Sequence, residues 1–208
     1  MTDGSSNTEL LTLGHSTHSI ERFIALLKGA GATAVADVRS SPYSRYSPQY
    51  SKDALRSALS EAGIAYTFLG KEFGARSTDP SCYRNGKVQY SKLAQSDLFA
   101  DGLQRVFDGS KKYRIAFVCA ERDPIECHRA LLVARAFSDK GMTVSHIHSD
   151  GTLESHPNLE SRLLAAWKLP DGDMFKTRES FIEEAYLLQG DKVAYQDEQM
   201  LRAEVTEE

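Results

Sequence analysis

The chain has 208 residues, 41% hydrophobic and 26% charged, with a formal net charge of −4. That size and balance fit one soluble globular domain with its own core, and no apolar run approaches the length of a membrane span. The acidic balance gives no global attraction to nucleic acid, so any anion binding must come from a local cluster.

Residues 1–8 are small and polar and are expected to fray as a flexible N-terminus. Without a basic region followed by an apolar stretch, "MTDGSSNTEL" is no secretory signal, and a cytoplasmic protein is expected. "ELLTLGHS" reads as a short strand ending in a Gly turn. Ser19 caps the helix "IERFIALLKGAG", whose Phe23, Ile24, Leu27 and Ala30 recur at helical spacing and which Gly31 closes. "TAVADVRS" follows as a buried strand. "SKDALRSALSEAG" is a helix capped by Ser51 and stopped by Gly63, and "AYTFLG" is a third strand. Residues 71–95 lack periodicity, which predicts a functional or mobile connection. "SDLFADGLQRVFDGSK" is a helix with Ser96 as cap, "RIAFVCA" the most apolar strand, "PIECHRALLVARAFSDKG" its helix and "MTVSHIHSDG" the last strand. "HPNLESRLLAAW" and "ESFIEEAYLL" close a single α/β domain over 9–190, and 191–208 reads as a polar, acidic tail.

Strands alternating with amphipathic helices predict a mostly parallel sheet with helices on both faces, a Rossmann-like three-layer sandwich. Ligands of such sheets bind outside the carboxyl ends of the strands. Five of the six histidines (His15, His18, His128, His146 and His148) and two of the three cysteines fall in the segments that end strands. The opposite turns, "KGAGAT" and "SDKGMT", hold neither residue type. That asymmetry argues for chemistry at one edge.

In "CAERDPIECHR", Asp123, Pro124 and Glu126 form a helix start of capping-box type, attractive to anions and able to lower the pKa of a nearby thiol. Cys119 and Cys127 read equally well as small buried hydrophobes, and three cysteines make no disulfide framework. Cys119, Cys127 and His128, with His146, offer metal ligands. The spacing matches no zinc-finger pattern, however, and adjacent Cys and His residues diverge on a helix. Glu121 and Arg129 need partners or a ligand at a strand end. Asp37 sits in an apolar strand, with Arg39, His15 or a substrate hydroxyl as its expected partner. Arg39, Ser40, Ser41, Ser44 and Arg45 are phosphate-type donors, and Tyr43, Tyr46 and Tyr50 offer stacking faces. A polar loop ordered by proline accounts for the same residues. Lys71 and Arg76 suit a basic lid, with Arg84 and Lys87 read as solvated.

"LGHSTHSIERFIALLK", "VADVRSSPYSRYSPQYSKDALRSALSEAGIAYTFLGKEFGAR" and "VCAERDPIECHRALLVARAF…VSHIHSDG" resemble the family called domain of unknown function 488, over about Leu11 to Gly151. The resemblance implies an α/β fold and carries no settled reaction. Its motif positions match at Gly14, His15, Ser16, Asp37, Arg39, Pro42, Ser44, Cys119, Glu121, Cys127, His128 and Arg129.

These readings predict a hydrolase or group transferase acting on a nucleotide, a nucleic-acid base or a related phosphorylated compound. Asp37, Glu121 and His15 would do acid–base work. Ser16, Arg39, Ser44, Arg45, Tyr46, Lys71, His128 and Arg129 would bind substrate. No cofactor is predicted, since the first strand lacks the Gly-x-Gly-x-x-Gly fingerprint. A thiol- or metal-dependent enzyme built on the Cys-x7-Cys-His cluster is the second reading. A non-catalytic nucleotide or nucleic-acid binding module is the third. The expected partner is an anionic small molecule or nucleotide, with nucleic acid as an extension and no membrane; the oligomeric state stays open.

Overall fold

Strands and helices alternate from the start: β1 (Leu10–Gly14), α1 (Ile20–Gly29), β2 (Ala34–Asp37), α2 (Lys52–Glu61) and β3 (Ala65–Phe68). The computed structural model describes residues 9–43 and 45–199. The expected fraying of 1–8, the role of Ser44 and the end of the predicted tail lie outside the described residues. A long excursion carries α3 (Gly70–Phe73), the ribbon strands β4 (Tyr83–Arg84) and β5 (Lys87–Val88), and α4 (Tyr90–Ala94). Then come α5 (Asp97–Ser110), β6 (Ile115–Cys119) and a π-helical segment, Arg129–Ala134, continuing as α6 (Arg135–Ser138). β7 (Val144–Ile147), β8 (Leu153–Ser155), α7 (His156–Ala166) and α8 (Arg178–Val193) complete the order.

The central sheet has the order β3-β2-β6-β1-β7-β8, all parallel except β8, which runs antiparallel to β7. Successive strand residues face opposite sides. Leu11, Leu13, Val35, Ala116 and Val118 therefore join Phe23 and Leu27 of α1 and Leu55 and Leu59 of α2 in one core. Leu10, Ala36, Phe117 and Cys119 join Phe99 of α5 and Phe137 of α6 in the other. Each fully buried Leu or Phe stabilises the fold by roughly 1.5–3 kcal/mol. The expected α/β sandwich is thus the observed one. Among the described residues no helix is long and apolar enough to cross a membrane.

This arrangement makes β6 the odd strand. Its two neighbours, β2 and β1, send their chains to the α1–α2 face, whereas β6 sends its chain to the opposite face. Divergent connections open a crevice at the carboxyl ends of such neighbours.

Four details differ from the sequence reading. The helix expected from Pro124 begins at Arg129 instead. Pro124–Glu126 is one 3₁₀ turn, capped by the Asp123 carboxylate accepting from the Ile125 N–H at 3.1 Å. The Asp-Pro start signal is satisfied by that turn, and Cys127 then reverts to extended backbone (φ −143°, ψ 137°). Residues 71–95, a connection without periodicity in the sequence, carry short elements: most of α3, the β4–β5 ribbon and α4. The edge strand β8 was not expected. Finally, α8 runs past 190, and beyond it Val88 N–H donates to the Tyr195 carbonyl at 3.0 Å, tying the following residues to the ribbon.

Candidate functional site

The crevice holds a pocket of about 380 Å³ at the carboxyl end of β6. Its floor is Cys119, Ala120, Glu121, Cys127 and His128; Arg39, Ser40 and Ser41 border it from the end of β2. Tyr43, Arg76, Tyr90, Glu126 and Tyr195, with the small apolar Ala75 and Val193, complete the wall.

Cys119 is the last residue of β6 and points to the same side as Phe117, toward the segment that opens at His128. Cys127 is extended and His128 is the first helical-region residue (φ −58°, ψ −23°). Consecutive side chains that would diverge along a helix therefore converge. The Cys119 and Cys127 sulfurs lie 3.8 and 3.9 Å from His128 Nδ1. His128 Nε2 donates to the Val38 carbonyl at 3.0 Å. All three side chains are buried.

Glu121 is exposed as a residue, yet its Oε2 accepts from Cys127 Sγ at 2.9 Å. Burial of the carboxyl, and then Cys127, raise its pKa. Burial holds the Cys119 thiol well above the ordinary range. Burial also opposes ionising Cys127, but a hydrogen bond to Cys119 and the charges of Arg129 and His128 outweigh it and hold that thiol well below the ordinary range. Burial likewise disfavours the His128 imidazolium, but Cys127 and the Val38 carbonyl more than compensate and raise its pKa.

The candidates separate by sheet face. Asp37, His15, Tyr50 and Tyr66 gather on the α1–α2 side. The Asp37 carboxylate is fully buried and engaged, accepting from Arg39 Nε at 2.8 Å, Arg39 Nη2 at 2.6 Å and the Tyr66 hydroxyl at 2.9 Å. It positions Arg39, which reaches the pocket, rather than lining the pocket itself. His15 stacks on Tyr50 with centroids 4.1 Å apart, and its Nδ1 donates to the Ser16 carbonyl at 3.0 Å. Burial lowers its pKa to about 4, so it is neutral at pH 7 and accepts from Arg39 Nη1 at 3.5 Å. Ser16 adopts a left-handed φ of 46° and its N–H donates to the Ala120 carbonyl, making it part of the turn beside β6.

Arg129 is fully buried. Its Nη1 donates to the Glu121 carbonyl at 2.7 Å and its Nη2 to the Arg122 carbonyl at 3.1 Å. It fastens the turn that carries Glu121 and does not line the pocket. Gly14 serves the same turn: a Cβ there would sit 1.8 Å from the Glu121 carbonyl oxygen. Arg45, Tyr46 and Lys71 are exposed and outside the pocket wall. From the expected lid only Arg76 arrives, stacked 4.5 Å over the Tyr195 ring. His146 lies apart from the cysteines; Thr12 Oγ1 is 2.8 Å from its Nδ1 and His156 Nδ1 is 3.0 Å from its Nε2. Tyr90 and Tyr195 were not read as site residues. Each follows a polar stretch with no periodic or motif signal, and only the tertiary fold brings them to β6.

A family model described as Domain of unknown function DUF488 matches residues 19–136, more than half of the chain and including both cysteines of the pocket. No curated protein and no solved structure matches the chain.

Proposed function

The chain belongs to the family described as Domain of unknown function DUF488, and we propose that it is a hydrolase or group-transfer enzyme acting on a small anionic compound of the nucleotide or nucleobase class. One observation carries this reading. A carboxylate hydrogen-bonded to a thiol opens on a pocket of about 380 Å³ whose wall combines Arg39 and Arg76 with the rings of Tyr43, Tyr90 and Tyr195. That size suits a mononucleotide or smaller ligand. Guanidinium groups match phosphate, and tyrosine faces match a planar base. Glu121 is the acid–base group, because it is the carboxyl that lines the pocket floor, with burial and Cys127 raising its pKa above the ordinary value.

The second reading, thiol or metal chemistry, is favoured by the convergence of Cys119, Cys127 and His128. The test of the first is a turnover screen of the full chain against nucleotides, nucleosides and phosphate esters, followed by Glu121→Gln in folded protein. A fall in kcat of about 10²–10⁴ is expected for loss of a general acid–base group. No turnover by the wild type on any of these compounds, or turnover that survives Glu121→Gln, overturns the reading.

A further inference from the structure

We propose that Cys119, Cys127 and His128 form a three-ligand site for a divalent metal of the zinc type, with its remaining coordination position facing the pocket. The inference concerns the same crevice but does not depend on the substrate being a nucleotide.

The distances come first. The three donor atoms lie within 4.8 Å of one another, and the two sulfur-to-nitrogen separations are 3.8 and 3.9 Å. Zinc binds sulfur at about 2.3 Å and imidazole nitrogen at about 2.0–2.1 Å. Tetrahedral angles then put a sulfur and a nitrogen ligand roughly 3.6 Å apart. The observed separations exceed those of strong hydrogen bonds and sit close to that edge length.

The aim of each donor agrees. His128 Nε2 donates to the Val38 carbonyl, so the free lone pair of the neutral ring is on Nδ1, between the two sulfurs. A histidine whose second nitrogen is held by a carbonyl is the usual metal-ligating form. The backbone N–H of Arg129 donates to Cys127 Sγ at 3.4 Å, which helps to orient that sulfur. Cys119 stands at the end of a core strand, so one ligand is set by the sheet itself. The cysteines are free thiols, unlinked to each other despite their closeness.

The chemistry of the set narrows the metal. Two sulfurs and an imidazole favour zinc over the hard cations, magnesium and calcium. Three protein ligands bordering an open pocket match a catalytic rather than a closed structural site. Glu121 touches Cys127 but stands outside the three-donor cluster, as a non-ligating carboxylate beside the open position. Hydrolytic zinc sites with Cys/His donors use a glutamate in that way. When bound, the ion would supply Lewis-acid polarisation and a water of lowered pKa.

The test uses the tag-free full chain, purified under reducing conditions, with metal analysis and then replacement by cobalt(II). One zinc per chain is expected, and the cobalt form should show thiolate-to-metal absorption in the near ultraviolet with visible bands of tetrahedral type. Cys119→Ser, Cys127→Ser and His128→Ala should each lose stoichiometric binding. Cys82→Ser, a buried cysteine outside the cluster, should keep it. A folded wild type that takes up neither zinc nor cobalt overturns the proposal, as does binding that survives both cluster cysteine changes. If those variants do not fold, the wild-type cobalt spectrum decides alone, and absence of thiolate bands overturns the site. Zinc bound without any turnover would leave the site standing and count against the hydrolase reading only.

Discussion

His128 Nε2 lies 3.0 Å from the carbonyl oxygen of Val38, the residue that follows β2. This contact joins the two segments that border the pocket and decides which ring nitrogen faces the sulfurs. The expected outcome is a ring whose Nε2 keeps its proton whether or not metal is present. Nitrogen-15 NMR of labelled histidine checks this: adding zinc should move the Nδ1 resonance of His128 and leave an Nε2–H correlation intact. A metal-free ring that carries Nδ1–H and lacks Nε2–H would contradict the orientation.

Asp37 gives a sharper contrast between positioning and catalysis. Its carboxylate is fully buried between Arg39 and the Tyr66 hydroxyl. Removing one partner of a buried pair costs about 3–5 kcal/mol, because the other charge is left uncompensated. Asp37→Asn should therefore lower unfolding free energy by that order, read from urea denaturation. Tyr66→Phe removes only one hydrogen bond and should cost about 1 kcal/mol. An Asp37→Asn protein of wild-type stability would show that the pair is not what holds Arg39.

These two cases mark what was readable from sequence. The alternation of apolar runs with amphipathic segments predicted the parallel sheet, and the rule of carboxyl-end binding predicted that Cys119, Glu121, Cys127 and His128 would share an edge with Arg39. Periodicity carries that information because it is local. The break at Cys127 is not local in the same sense. Asp123-Pro124-Ile125-Glu126 satisfies the signal for a helix start, but one turn is enough to satisfy it, and packing then sets Cys127 extended. A helix continuous from Pro124 would turn Cys127 and His128 in different directions, away from one metal. Tyr90 and Tyr195 carried no signal because they reach the pocket through the β4–β5 excursion and the end of α8, more than a hundred residues apart in the chain.

Arg129 predicts a linked effect on stability and on the site. Its guanidinium satisfies the Glu121 and Arg122 carbonyls from a fully buried position. Arg129→Met would take this donor from two part-buried carbonyls and should cost roughly 3 kcal/mol. Gly14→Ala acts on the same turn by collision, since the added methyl would overlap the Glu121 carbonyl oxygen. Both variants should accelerate amide hydrogen exchange across 119–123 more than in β2. Uniform exchange changes would mean that these residues support the fold generally and not this turn.

Acid sensitivity follows from the buried histidines. Burial lowers the pKa of His15 to about 4, and of His156 to about 4, against an ordinary value of 6.5. His146 is lowered as well, chiefly by burial, with His156 next. Their neutral rings are tied in: His156 Nε2 donates to the Tyr186 hydroxyl at 2.9 Å, and that hydroxyl donates to Glu160 Oε1 at 3.1 Å. In the unfolded chain each histidine takes up a proton as pH falls through 6.5, whereas in the folded protein His15 and His156 resist until near pH 4 and His146 is lowered in the same direction. The unfolded state therefore binds more protons in that window, and stability falls as pH falls. For His15 and for His156 a shift of that size corresponds to about 3 kcal/mol by pH 4. The unfolding midpoint in urea should be nearly flat above pH 7 and drop steeply between pH 6.5 and 4. Trp167, the single tryptophan, reports it by fluorescence from its hydrogen bond to Gln189 at 3.0 Å. His156→Gln should be less stable than the wild type at pH 7 and show a shallower acid slope. An equal slope in both proteins would mean that His156 is already protonated in the folded state.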